Sequence, residues 1–136
     1  MKLYRKDTNY AVRTLVYVAQ QNHDVPISST RVSEALGIPK NFLRRIFSML
    51  IKAGFLNATE GARGGVNLAR QPADTSVWDI MCALQGEMKI CNGFHENESC
   101  SDVASCVICK RIIEIEKLIV REFQKITIQT LIDDMN

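Results

Sequence analysis

What the chain lacks narrows the field before any motif is read. No apolar run approaches the roughly 20 residues that a helix needs to cross a bilayer, so a membrane-spanning helix is not expected and no membrane partner is anticipated. The opening Met1-Lys2-Leu3-Tyr4-Arg5-Lys6-Asp7 has neither an apolar signal core nor a small-residue cleavage site. A cytoplasmic location is therefore expected. Thiols stay reduced there, and clustered cysteines point to metal or redox chemistry more than to disulfides. There is no internal repeat and no low-complexity tract. No convincing base or oxyanion donor accompanies the cysteines, so an enzyme is not expected. Acidic residues are scarce in the first half. Residues 1–70 hold eleven Lys/Arg against four Asp/Glu, a net of +7, and residues 71–136 hold six against eleven, a net of −5. A basic half can attract a polyanion, whereas an acidic half is less suited to lie on one.

The 136 residues, 46% hydrophobic and 24% charged, suit a soluble globular chain of one domain, or a small domain with an appendage. Four of its five cysteines fall between Cys91 and Cys109 in the spacing C-x8-C-x5-C-x2-C. Four soft thiolates on one irregular loop can hold zinc or an iron–sulfur cluster. The paired C-x2-C knuckles of zinc sites are missing, since only Cys106/Cys109 has that form. The same pair also reads as a redox dithiol, with Cys106 near a helix start that would lower its pKa. His95, Glu96 and Glu98 could each ligate a metal, although a solvated loop is their ordinary reading. Cys82 is read as a small buried hydrophobe and Trp78 as packing.

Along the chain, apolar spacings of three and four predict a first helix over Thr8–Gln21, capped by Asp7 or Thr8. A short helix capped by Ser28 or Ser29 runs to Leu36, with Val32, Ala35 and Leu36 inward. Gly37 ends it, and Pro39 suits the first turn of the next helix, Lys40–Ala53. That helix buries Leu43, Ile46, Phe47, Leu50 and Ile51. It leaves Lys40, Asn41, Arg44, Arg45 and Ser48 outward, which is helix-turn-helix grammar. Strand candidates Phe55–Thr59 and Val66–Ala69 enclose Glu60-Gly61-Ala62-Arg63-Gly64-Gly65, a hairpin tip suited to phosphate or to a minor groove. After the connector Gln71–Asp74, Ser76 and Asp79 form a capping box for a helix to about Gln85. From about Val107 to Lys125, Ile108, Ile112, Ile115, Ile119, Phe123 and Ile126 recur at spacings of three and four. With Ile113, Leu118 and Val120, they give a helix that is either a dimer seam or a buried central helix. Thr127–Asp134 is a short final helical element.

The whole chain resembles the Rrf family of small winged-helix transcription regulators. The likeness rests on the opening Met-Lys-Leu, on Tyr10-Ala11-Val12-Arg13, on Pro39-Lys40-Asn41-Phe42-Leu43 and on Gly61-Ala62-Arg63-Gly64-Gly65-Val66. It also rests on the Cys91/Cys100/Cys106 triplet and on Thr127-Ile128-Gln129-Thr130-Leu131-Ile132. The resemblance implies a mainly α fold: a winged helix-turn-helix with a short β-hairpin wing and a long C-terminal dimerisation helix. It also implies a 2Fe–2S or 4Fe–4S cluster on Cys91, Cys100 and Cys106. Family members differ in the fourth ligand. Cys109 takes that place here, ahead of Asn9 or Asp7 of a partner subunit, because an Asn amide is a poor anionic ligand. Zinc is the alternative metal.

The expected layout is a DNA-binding domain over residues 1–86, a cysteine loop over 87–109, and a dimerisation helix with its tail over 107–136. The expected function is a homodimeric regulator, a repressor in type, that binds a near-palindromic operator and senses cluster status, iron or nitric oxide. Its expected DNA-facing set is Lys40, Asn41, Arg44, Arg45 and Ser48, with Arg63, Gly64 and Gly65 on the wing and Ser28, Ser29, Thr30 and Arg31 at the second helix start. The rivals are a cluster-free or thiol-switch regulator of the cysteine-metabolism type and a small iron–sulfur carrier.

Overall fold

The computed structural model describes residues 2–89 and 106–136. The first helix, α1 (Lys6–Ala19), buries Ala11, Val12, Leu15, Val16 and Val18. Helices from both halves of the chain pack against it. It begins two residues before the expected start. Arg5 is its N-cap and makes no side-chain capping bond, while Asp7 and Thr8, the expected caps, lie in the first turn and are held by other partners. Asp7 binds the Arg5 guanidinium at 2.6 Å and accepts the Thr8 backbone N–H at 2.9 Å. Thr8 is fully buried and donates its hydroxyl to Gln85 Oε1 at 2.5 Å.

The helix-turn-helix follows. Ser28 Oγ accepts the Arg31 N–H at 3.2 Å and starts α2 (Ser29–Leu36). Val32 is buried, Leu36 is half-buried, and Ala35 faces solvent against expectation. Gly37 ends α2 at φ 66°, ψ 26°, a left-handed conformation that side chains resist. Ser33 Oγ donates to the Ile38 carbonyl at 2.6 Å and closes the turn. Pro39 is the N-cap of α3 (Lys40–Lys52) rather than part of its first turn. Leu43, Ile46, Phe47 and Leu50 anchor α3 in the core.

Strands β1 (Leu56–Thr59) and β2 (Gly65–Leu68) pair antiparallel, with Leu56 opposite Leu68 and Thr59 opposite Gly65. Ile27 lies on the far side of β2 and exchanges both backbone bonds with Val66, at 3.0 and 2.9 Å. A 3-10 turn (Pro72–Asp74) leads to α4 (Val77–Gln85). Its capping box is complete: Asp79 N–H reaches Ser76 Oγ, and Ser76 N–H reaches Asp79 Oδ2. Ser76→Ala is expected to lower stability by about 1 kcal/mol, read as a fall in Tm of about 4 °C. An unchanged Tm would show that the box contributes nothing.

The longest helix, α5 (Val107–Lys125), and the last, α6 (Ile128–Met135), complete the described elements. A Thr127/Thr130 capping box starts α6, and buried Ile128 joins the same core as α1, α3 and α4. Val77 N–H donates to the Ile126 carbonyl at 2.8 Å, and Ile128 N–H donates to the Thr75 carbonyl at 2.9 Å. These bonds tie the C-terminal end of α5 to the start of α4. Along the rest of α5, Cys109 is the one residue described as buried, so α5 is not the buried central helix of a single chain. No helix among the described residues is long and apolar enough to cross a membrane.

Candidate functional site

The turn after Gly37 fixes how α3 enters, and its apolar stripe fixes which side turns outward. Lys40, Asn41, Arg44, Arg45 and Ser48 are all exposed. Among the described residues, Lys40, Asn41, Arg44 and Ser48 have no hydrogen bond or ion pair, so their donors are uncommitted. Arg45 sets its guanidinium 5.4 Å from the Phe42 ring centroid. Phe42 meets the Tyr10 ring of α1 edge to face, at 5.3 Å and 84°. Lys6 lies 5.5 Å over Tyr10. Two rings, flanked by a cation at each end, span the α1–α3 junction, a contact that helical periodicity cannot reveal because it joins two elements.

Other cations are spent within the fold. Arg13 donates to the Leu36 carbonyl at 3.1 Å and Arg70 lies 4.7 Å over Phe55. Arg31 donates to Gln21 Oε1 at 3.3 Å, and Ser28 is occupied as a cap. Ser29 is half-buried and Thr30 exposed. On the wing, Arg63 is exposed with no partner among the described residues. Gly64 and Gly65 have a packing reason of their own. A Cβ on Gly64 would sit 2.3 Å from the Thr59 carbonyl oxygen, and one on Gly65 would sit 2.3 Å from that of Ile27.

Of the cysteine set, Cys91 and Cys100 lie outside the described residues, as do His95, Glu96 and Glu98. Cys106 is the N-cap of α5 and Cys109 sits one turn on, buried. The Cys106 thiol is drawn below its ordinary pKa by the Cys109 backbone N–H first, then by the Cys109 side chain, with the Ile108 N–H adding and burial opposing. Such a pair at a helix start favours thiolate and suits a soft metal centre. Asp7 is already engaged by Arg5, and Asn9 is half-buried in the wall of a groove. Cys82 is half-buried rather than buried. Burial, then Glu87 and Asp79, push its thiol upward, away from reactivity.

Gln85 is the residue that sequence reasoning missed. At the end of α4, a few residues ahead of Cys91, its Oε1 accepts from the Thr8 hydroxyl and from the Arg5 N–H at 3.3 Å, while its Nε2 donates to the Leu3 carbonyl at 3.2 Å. This clasp pins the approach to the cysteine segment onto the first turn of α1. A partner some eighty residues away leaves no local sequence signal.

Two apolar surfaces remain among the described residues. Val107, Ile108, Ile115 and Leu118 project from α5 with relative exposures of 73%, 63%, 53% and 55%. A groove of about 690 Å³, lined by Tyr4, Val12, Val16, Phe123, Leu131 and Met135 among others, opens between α1, α5 and α6.

Comparison with known proteins decides the family. The model of the Rrf2 family, described as an iron-dependent transcriptional regulator, matches residues 4–134. The chain belongs to the Rrf2 family. Within that family it is similar to the protein rrf2 of Nitratidesulfovibrio vulgaris, 29% identical over 134 residues, spanning 98% of this chain and 89% of that protein. A helix-turn-helix-type transcriptional regulator of Synechocystis is 31% identical over 102 residues, spanning 75% of this chain and 69% of the other. Among solved structures, T. potens IscR superposes with a TM-score of 0.75 at 26% identity, covering 100% of this chain and 89% of that one. CymR, the global cysteine regulator of B. subtilis, gives a TM-score of 0.77 at 19% identity over the full length of both chains, a likeness of fold alone. The chain is thus a DNA-binding transcriptional regulator with a winged helix-turn-helix, and not an enzyme.

Proposed function

We propose that this family member is a cytoplasmic homodimeric repressor that reads a near-palindromic operator and senses iron–sulfur cluster status, iron or nitric oxide. Cys91, Cys100, Cys106 and Cys109 are the proposed ligands. The observation that carries the sensing is the placement of Cys106 as the N-cap of α5 with Cys109 buried one turn on. The family's description as iron-dependent supports it. A bound cluster would supply a redox- and ligand-responsive charge at that turn.

The DNA-facing set is the uncommitted surface of α3 together with Arg63, with the α2 start as a backbone contact. The basic half of the chain carries all of these residues. A second copy is the proposed partner, because one chain carries both an apolar strip on α5 and an apolar groove, the self-complementarity that a two-fold interface needs. The Gln85 clasp holds the approach to the cysteines, and the Ser76–Thr127 bridge holds the far end of α5. The proposed shift is at the Cys106 end, where the cysteine ligands meet α5. A shift there alters the spacing of two α3 helices, which must lie about 34 Å apart to engage both half-sites.

Anaerobic purification with a visible spectrum and iron and sulfide analysis is the test. A coloured protein with matching iron and sulfide is expected. A colourless protein carrying zinc, or no metal, would favour the zinc or thiol-switch reading and leave the DNA-binding role intact. Cys109→Ser is expected to speed bleaching in air by at least about 10-fold. An unchanged spectrum and unchanged bleaching would remove Cys109 from the ligand set.

A further inference from the structure

We propose that Phe42 and Tyr10 are positioning residues that hold the Arg45 guanidinium in its DNA-reading orientation, so that α1 contributes to recognition without touching DNA. The proposal rests on α3 being the recognition helix. Arg45 is exposed on α3 with no ion pair among the described residues, and its one described contact is the Phe42 ring at 5.4 Å. Phe42 stands one turn before Arg45, the spacing at which helix side chains meet. A ring on a helix surface can still choose among rotamers. Here Tyr10 packs its ring at 84° to that of Phe42, at 5.3 Å, and both rings are half-buried against the core. Tyr10 therefore removes a freedom that Phe42 would otherwise have, and Phe42 in turn limits the arc over which Arg45 can swing.

The chemistry fits the task. An arginine stacks on an aromatic face with its planar fork still free at the edge to donate. Fixing the fork before binding lowers the ordering cost of contact with guanine or phosphate. Among the described residues, the neighbouring Arg44 has no ring beneath it. Two basic side chains on one helix are thus made unequal, one resting on a ring and one not. Lys6, stacked on the opposite end at Tyr10, extends the ladder away from α3.

A double-mutant cycle tests this. The probe is a duplex selected by the wild-type protein from a randomised pool, with affinities measured at fixed salt. Phe42→Leu is expected to weaken binding by about 3- to 5-fold, and Phe42→Tyr to restore it. In an Arg45→Ala background, Phe42→Leu is expected to add nothing. Should Phe42→Leu fail to fold by its thermal melt, Tyr10→Leu is carried through the same cycle with the same expectation. If the ring substitution costs as much with Arg45 absent as with it present, the rings act on the fold and the positioning role is overturned. If Arg45→Ala alone leaves affinity unchanged, the reading of α3 at this position falls first and the proposal falls with it.

Discussion

Glutamate at both Ile115 and Leu118 is expected to leave a folded monomer that binds a full operator at least about 100-fold more weakly than the wild type. The two side chains are 53% and 55% exposed on α5, so the fold of one chain does not depend on them. Together with Ile108, they repeat at spacings of seven and three and form one outward apolar strip. A 19-residue helix with one residue described as buried gains little from its own chain. Most helical stability in proteins comes from packing an apolar face. A carboxylate in a closed seam must lose its hydration without a partner, which costs several kcal/mol per ion. Two-fold symmetry doubles the number of such groups. Loss of the proposed dimer would separate two half-site contacts that otherwise act as one, and the linked advantage would disappear with it. Sedimentation at micromolar concentration with circular dichroism reads the assembly and the fold separately. A variant that remains dimeric would move the seam away from this strip and onto the groove between α1 and α6.

The same strip shows what could be read in the residues alone. Periodicity placed every described helix to within about two residues because an apolar stripe is a repeated signal that many residues share. The Ser76/Asp79 box, the Gly37 turn and the hairpin were legible for a related reason: each is a local motif whose partners lie within a few positions. The start of α1 was not. Asp7 and Thr8 have the chemistry of caps, yet Arg5 and Gln85 claim them, and Gln85 is far away in sequence. Ala35 and Cys82 failed in a gentler way, since a small residue gives periodicity little to weigh. The candidate interface divides along the same line. Exposure of the α3 basic set follows from burial of the opposite stripe. The Tyr10–Phe42–Arg45 stack depends on how two helices dock, although Tyr10 and Phe42 each belong to a segment that carried the family resemblance.

Gly65→Ala is expected to destabilise the fold by about 3 kcal/mol, a fall in Tm of about 10 °C, with loss of DNA binding only as a consequence. Glycine on a wing invites a phosphate-binding explanation, because a bare backbone can approach a polyanion. At Gly65 the backbone already has a close neighbour. A Cβ there would meet the Ile27 carbonyl oxygen at 2.3 Å and its backbone nitrogen at 2.8 Å, contacts no flexible side chain can relieve. The strand must move or the Ile27–Val66 bonds must break, and those bonds join the wing to the residues just ahead of α2. The damage therefore reaches the helix-turn-helix itself. Arg63→Ala supplies the contrast, since Arg63 is exposed with no partner among the described residues. It should melt as the wild type does and lose affinity in a salt-dependent way. Thermal melts and binding isotherms at two salt concentrations separate the two. A Gly65→Ala protein that melts normally and fails only on DNA would return that glycine to the interface and leave the crowding at Ile27 without consequence.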